Sequence, residues 1–292
     1  MAARPCARAD PLTAPPPILR CAGQTLELDS PQVMGVLNVT PDSFSDGGKY
    51  AGLDEAVAHG LRLAQEGAAI IDVGGESTRP GARPVSVADE LDRVVPVIQA
   101  LRKASPAIVS VDTSKPQVMQ AAARAGAGLI NDVRALRAPG ALAAAAATGC
   151  AVCLMHMQGE PATMQLAPHY ADVTAEVRSF LEERVAAARA AGMAGDQLLI
   201  DPGFGFGKNM AHNLTLLRQL RLLTAGEVPV LVGLSRKSMI GTLTGRDTGG
   251  RLHGSVALAV LAVTQGARIV RAHDVAATVE ALAVTSAFIG GD

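Results

Sequence analysis

"LDEAVAHGLRLAQEGAAIIDV", residues 53–73, contains both halves of the unit from which this chain is built. From Leu53 to Glu66 apolar positions recur three and four apart, the spacing of one helix face, and Gly67 supplies a C-terminal stop. The run that follows, Ala69–Val73, is apolar on consecutive residues. Both of its faces require burial, which is the mark of a strand inside a parallel sheet. The same order of short apolar run, polar loop and helical stretch recurs along the chain. Strands are predicted at Val33–Val39, Ala69–Val73, Ile108–Asp112, Leu129–Asp132, Ala151–Met155, Leu198–Asp201, Val230–Val232 and Arg268–Arg271. Helices are predicted at Leu53–Glu66, Ala88–Leu101, Gln117–Ala125, Gly140–Thr148, Val173–Ala191, Asn213–Leu220, Ser255–Gln265 and Ala276–Phe288. Eight such units in roughly 250 residues fit an α/β fold of one kind, a single (β/α)8 TIM barrel, better than a doubly wound sheet. Upstream, "ILRCAGQTLEL" reads as a short N-terminal hairpin turned by Ala22-Gly23. Residues 18–292 are expected to be one domain, and the Pro-rich residues 1–17 a flexible segment.

Composition narrows the function. Of 292 residues, 49% are hydrophobic and 18% charged, with a net charge of -1. That balance leaves no basic footprint for nucleic acid and no polybasic run for a membrane surface. Aromatic residues make up only 2%, with no Trp, which argues against a base-stacking platform. No stretch reaches the ~18 uninterrupted apolar residues of a transmembrane helix. The start lacks the apolar block of a secretory signal, so a cytoplasmic protein is expected. Cys150 and Cys153 have the spacing of a redox or metal pair. They fall in an apolar run that reads as a strand, where residues three apart face opposite ways, so the two thiols should not meet.

In a barrel of this kind, chemistry sits where the strands run out into the following loops. Those positions hold Asn38, Asp72, Asp112, Asn131, Met155 with His156, Asp201, Lys237, and Arg271 with His273. Any one Asp or Asn there can be a helix cap. Taken together they describe a polar mouth for a hydrogen-bonding ligand. Two connections, "NVTPDSFSDGGKY" and "GGESTRPGARPVS", exceed the usual two to six residues of a βα loop and carry Asp42, Asp46, Glu76 and Arg79. Long loops on that face are the usual material of lids. In "LVGLSRKSMIG", residues 231–241, Lys237 stands where a buried strand gives way to a helix. A solvated lysine there would oppose the helix dipole, so something electron-rich is expected at that corner.

"DPGFGFGKN" suggests a phosphate loop and fails the test. Gly203 to Gly207 spans five positions where the P-loop needs six, and Lys208 is followed by Asn209 instead of Ser or Thr. The dinucleotide spacing also fails, because the third glycine arrives one residue early. The stretch reads instead as Asp201 at a strand end, followed by a glycine loop that approaches a ligand closely.

The segments "MGVLNVTPDSFSDGG", "DVGGESTRPGA", "VSVDTSKP", "INDVRAL", "LMHMQGEPATMQ", "DPGFGFGK", "GLSRKSMIG" and "RAHDV" occur in the order and register of the bacterial dihydropteroate synthases. The resemblance runs from about residue 18 to the C-terminus. It implies a (β/α)8 barrel, usually a homodimer, that joins 7,8-dihydropterin-6-ylmethyl diphosphate to 4-aminobenzoate with Mg²⁺ in folate biosynthesis, releasing pyrophosphate. It also implies a target of the sulfonamide drugs, which mimic 4-aminobenzoate.

A pterin edge offers an amino group and a ring N–H side by side, which one carboxylate can accept together. The resemblance assigns that carboxylate to Asp201, with Asp112, Asn131 and Met155 completing the slot and Lys237 donating to the ring carbonyl. It assigns 4-aminobenzoate to Thr78, Arg79, Pro80, Phe206 and Ser238. It assigns the diphosphate to Asn38, Ser77, Thr78, Arg79, Arg271 and His273, and Asn38 also to the metal. Departure of pyrophosphate before attack would leave a cationic methylene, which the Asp112 carboxylate would stabilise. Asp46, Arg79 and Lys237 join Asp112 in the catalytic set.

Two departures from the family pattern, His253 and Ala272, lie off the residues to which chemistry is assigned. A pterin-binding methyltransferase of the same fold would share the Asp–Asn–Asp slot but would not need the two long loops or the Arg271/His273 pair. A non-catalytic pterin-binding paralogue would be expected to have lost loop residues or Lys237, and this chain keeps them.

Overall fold

Eight parallel strands do form, and hydrogen bonds close them into a ring. The computed structural model describes residues 17–39, 48–77, 84–160 and 163–290. Two antiparallel strands, β1 (Ile18–Cys21) and β2 (Gln24–Glu27), precede the ring. The ring is made of β3 (Gln32–Asn38), β4 (Ile70–Gly74), β5 (Ile108–Asp112), β6 (Leu129–Asp132), β7 (Ala151–Met155), β8 (Leu198–Asp201), β9 (Leu231–Gly233) and β10 (Ile269–Ala272). Each pairs with its sequence neighbour, and β10 pairs with β3. A bridge between Ile200 and Val230 joins β8 to β9 and completes the circle. The strand limits agree with the predicted ones to within one residue.

The helices are α1 (Gly48–Gln65), α2 (Val87–Ala104), α3 (Pro116–Ala125), α4 (Ala141–Ala146), α5 (Val173–Ala190), α6 (Met210–Arg218), α7 (Arg221–Thr224), α8 (Ser238–Thr244), α9 (Leu252–Thr264) and α10 (Val275–Gly290). The helix predicted at 213–220 is α6, which starts three residues earlier and ends two earlier, with the short α7 beyond it, and the one predicted at 140–148 shrinks to α4. Side-chain caps set several helix starts. Ser86 accepts from the Asp89 N–H at the head of α2, and Asp172 accepts from the N–H groups of Thr174 and Ala175 at the head of α5. No helix among the described residues is long and apolar enough to cross a membrane.

Strand side chains alternate between the helix layer and the barrel interior. Outward residues such as Ile71, Val73, Val109, Val111, Ile130, Val152 and Leu154 are buried against Val94, Ile98, Leu101, Val118 and Met119 of the helices. Each such aliphatic side chain contributes about 1.5–3 kcal/mol on full burial. The inward residues lie in layers. The lowest layer, including Met34, Ile70, Ile108, Leu129, Leu199, Leu231 and Ile269, is apolar and fully buried or nearly so. The hairpin closes this end of the barrel, with Leu19, Cys21 and Leu28 packed into the same cluster. Its two-residue turn needs positive φ twice, and Ala22 (46°) and Gly23 (89°) provide it.

Two residues further along β4, β5, β6, β8 and β10 the interior turns polar, at Asp72, Ser110, Asn131, Asp201 and Arg271, which fixes where the chemistry sits. Cys153 faces this interior while Cys150 lies in the outer layer, so the two thiols do stand apart as the strand spacing requires. Burial pushes both thiols upward, so neither is primed to react.

Candidate active site

Asp72 is the anchor of the polar interior. It lies in the middle of β4, not at the strand end where the sequence placed it, and is completely buried. Its carboxylate accepts from the Ser110 hydroxyl at 2.6 Å, from Asn131 Nδ2 at 3.1 Å and from Arg271 Nε at 2.7 Å. Three elements that start far apart in sequence are thereby tied across the barrel. A buried carboxylate is tolerable only with such pairing, because breaking a buried ion pair costs about 3–5 kcal/mol.

One layer above, Asp112 accepts from the same guanidinium, at 3.0 Å from Arg271 Nη2. The sequence reading gave Asp112 to the pterin and Arg271 to the diphosphate; the structure pairs them with each other. Burial and the nearby charge of Asp72 push the Asp112 carboxyl up to about 7, against the pull of Arg271. Burial works against the charge on Arg271, but Asp72 and Asp112 more than offset it and hold its pKa above the ordinary value. Asn38 is exposed at the end of β3. A Cβ placed on Gly74 would sit 3.8 Å from Asn38 Oδ1 and 3.9 Å from Asp112 Oδ2, so the two side chains flank that glycine at the mouth.

Across the mouth, Asp201 ends β8, buried, and accepts from the Gly203 N–H at 2.7 Å. Burial raises its pKa, resisted by that N–H and by Lys237, Lys208 and Arg271. Lys237 is half-buried, with its Nζ 4.2 Å from the Phe206 ring centroid, a cation–π contact. Its stem lies over Gly205, where a Cβ would come 3.3 Å from Lys237 Cδ. Burial lowers the ammonium to about 8, with Asp201 resisting and Arg271 adding to the shift. The backbone turn that aims this lysine is held at a price in strain: Arg236 has φ 56°. Asp274 fixes the Arg236 guanidinium, Ser255 accepts from its N–H, and Arg251 donates to its carbonyl. The neighbouring Ser235 hydroxyl lies 3.0 Å from His273 Nδ1, which places His273 on the same rim.

In the loop after Asp201, Gly203 and Gly207 press against protein backbone, while Gly205 lies against the Lys237 side chain. A Cβ on Gly203 would lie 1.9 Å from the His156 carbonyl oxygen, and one on Gly207 would lie 2.4 Å from that of Gln158. Lys208 secures the loop from below, its buried ammonium donating to the Gly203 and Phe206 carbonyls at 3.0 and 3.1 Å, with His156 Nδ1 at 2.9 Å. Burial lowers Lys208 to about 7; burial and the Lys208 charge push His156 down to about 3, so this imidazole is neutral and accepts. Met155 joins Val133, Met157 and Met164, with Phe206 against them, in an apolar wall beside the mouth.

The barrel therefore brings Asn38, Asp112, Asn131, Met155, Asp201, Phe206, Lys237, Arg271 and His273 to one end. Ser238 is exposed as the first residue of α8, and Ser77 is half-buried three residues past β4. Asp46, Thr78, Arg79 and Pro80 lie outside the described residues. Among the described residues no cluster of three or more His, Cys, Asp or Glu side chains is able to hold a metal. Two residues to which the sequence reading gave no role hold the site in place: Asp72, which it placed at a strand end, and Lys208. An Asp inside the apolar run "AAIIDV" and a Lys closing a glycine-rich loop were the available signals.

Residues 34–273 match the model of the family described as pterin binding enzyme. The dihydropteroate synthase of Escherichia coli K12 is 56% identical over 265 residues, covering 91% of this chain and 94% of that protein. The structure of Xanthomonas albilineans dihydropteroate synthase with 4-aminobenzoic acid is 57% identical with a TM-score of 0.90, covering 95% of this chain and all (100%) of that one. The same enzyme in complex with 7,8-dihydropteroate superposes with a TM-score of 0.86 at 55% identity, covering 94% of this chain and 100% of that one. A chain that carries the eight motifs in order, closes the same barrel and matches these proteins over almost its whole length belongs to the pterin-binding enzyme family, among its dihydropteroate synthases.

Proposed function

We infer that the protein condenses 7,8-dihydropterin-6-ylmethyl diphosphate with 4-aminobenzoate to give 7,8-dihydropteroate and pyrophosphate. The observation that carries this reading is the placement of Asp112, Asn131, Asp201 and Lys237 around one mouth. Two carboxylates, an amide and an ammonium there match the donors and acceptors of a pterin edge, and Phe206 lies beneath the lysine. Asp201 accepts from the pterin amino group and ring N–H, and Lys237 donates to the ring carbonyl. Met155 covers a ring face. Arg271 and His273, on the rim near Asn38, receive the diphosphate together with Ser77. Ser238 and Phe206 receive the 4-aminobenzoate. Thr78, Arg79 and Pro80 complete that subsite on the same reading, and Asp46 helps to close it.

The bond to the diphosphate breaks first in this scheme, and Asp112, when ionised, faces the cationic methylene that results. The amine of 4-aminobenzoate then attacks that carbon and loses a proton. Asn38 suits Mg²⁺, a hard cation that takes few protein ligands and fills its shell with phosphate and water oxygens. Bound there, the metal would neutralise the leaving diphosphate. The site residues thus fit the ion without an all-protein cage.

A homodimer in the cytoplasm is the setting we propose. Leu261 of α9 and Val284, Phe288 and Ile289 of α10 are exposed large hydrophobic residues on adjacent helices, which supports a self-associating face. The test of the function is release of pyrophosphate, expected only when pterin diphosphate, 4-aminobenzoate and Mg²⁺ are present together. Release without 4-aminobenzoate, at the same rate, would overturn the assignment.

A further inference from the structure

Away from the strand ends, one lysine ties acidic groups from two different elements. Lys115 precedes Pro116 at the head of α3 and makes no side-chain cap there. Its ammonium donates to Glu76 Oε2 at 2.6 Å and also to Glu90 Oε2. Glu76 lies two residues past β4, and its other oxygen accepts the N–H of Val85 at 3.0 Å. This one carboxylate therefore joins the two ends of the connection between β4 and α2. Glu90 belongs to the first turn of α2 and is fully buried, with its Oε1 lacking any partner among the described residues.

The same base is held in two further ways. Arg93 donates to the Gly75 carbonyl at 2.8 Å. Gly75 itself is pressed against α2, where a Cβ would lie 2.8 Å from Val94 and 3.0 Å from Glu90. A carboxylate buried with one oxygen unpartnered is a poor way to gain stability, because apolar residues of similar volume would do as well or better. What the arrangement does provide is geometry. Lys115 sits three residues beyond Asp112, in the connection that leaves β5, and so ties that connection to the one in which Ser77 lies.

We propose that Lys115 is a positioning residue for the condensation: it fixes the base of the β4–α2 connection against the connection that follows Asp112. The leaving diphosphate, held through Ser77, and the carbon it departs from, faced by Asp112, are then presented from two elements at one spacing. This rests on the synthase reading above. Reacting groups held in register gain most of their rate from that orientation, and small displacements are costly.

The test compares Lys115→Gln, Lys115→Arg and the double variant Lys115→Met/Glu90→Leu, which exchanges the buried pair for apolar groups. Lys115→Gln should raise KM for the pterin diphosphate about tenfold, while the Kd of a non-reactive pterin that lacks the diphosphate changes less than about twofold. Lys115→Arg should restore most of the loss. The double variant should keep the wild-type melting temperature and show the same rise in KM. A pH profile gives a second readout. Glu90 is among the charges that raise Asp112, so the double variant, which removes that charge, should move the acid limb of kcat/KM downward, and Lys115→Arg should leave it in place. An unchanged KM in the folded double variant, or pterin affinity falling in step with KM, would overturn the proposal. Failure of the wild-type protein to release pyrophosphate would instead sink the synthase reading, and this role for Lys115 with it.

Discussion

Replacing Asp72 by Asn removes one negative charge from the barrel interior and leaves the hydrogen bonds intact. The new amide oxygen can take the place of Oδ2, which accepts from both Asn131 and Arg271. The amide nitrogen then faces the Ser110 hydroxyl, which rotates from donor to acceptor. What changes is the field at Asp112. Both carboxylates are held by one guanidinium, at 2.7 Å from Nε and 3.0 Å from Nη2, which sets them on the order of 5 Å apart. At an effective dielectric of about 20 the repulsion between them is about 3 kcal/mol. At 1.36 kcal/mol per unit that corresponds to about two pKa units, and relaxation of the site reduces it to about one to two. Asp112, pushed up to about 7 in the native protein, should fall by that amount, because the Asp72 charge is the second-largest cause of its rise after burial. The reaction needs Asp112 ionised, so the acid limb of kcat/KM against pH should move down by about one to two units. Near pH 6 the variant should retain more of its plateau activity than the wild type does. Steady-state kinetics between pH 5 and 9 decide it. An acid limb that stays near 7, or moves upward, would refute the link between the two carboxylates.

Three further outcomes follow from the same geometry. Asp201→Ala should abolish binding of a non-reactive pterin in calorimetry, since the ring edge loses its paired acceptor in a buried pocket, worth several kcal/mol at about 1–3 kcal/mol per unsatisfied group; near-normal affinity would remove Asp201 from the site. Asp112→Asn should lower kcat strongly with little change in pterin affinity, because its charge acts on the transition state, and a proportional loss of binding would make Asp112 a ground-state anchor. Gly203→Ala should destabilise by about 3 kcal/mol or more, read from denaturant unfolding, since φ is +68° and the added Cβ would meet a carbonyl oxygen at 1.9 Å; a stability change under about 1 kcal/mol would mean that the loop moves aside.

The sequence by itself determined the repeating unit, because helix and strand periodicities are local and buried parallel strands are apolar on both faces. Ile108–Asp112, Leu129–Asp132 and Ala151–Met155 could be read to the residue on that ground. The hairpin was legible in the same way, from two central residues that accept positive φ. So was the polar end of the barrel, since Asp112, Asn131 and Asp201 interrupt apolar runs near their ends. What each polar residue touches could not be read. Asp72 and Arg271 stand 199 positions apart and share a hydrogen bond only because β10 returns to pair with β3 and closes the ring. That closure removes water from the barrel interior, where burial and the charge of Asp72 raise the pKa of Asp112 and burial lowers that of Lys237. Lys208 and His156 follow the same logic across 52 positions, where two loops are pressed together until only glycine fits between them. Local spacing selects the elements. The dielectric surroundings and partners of a buried charge exist only once those elements have been brought together.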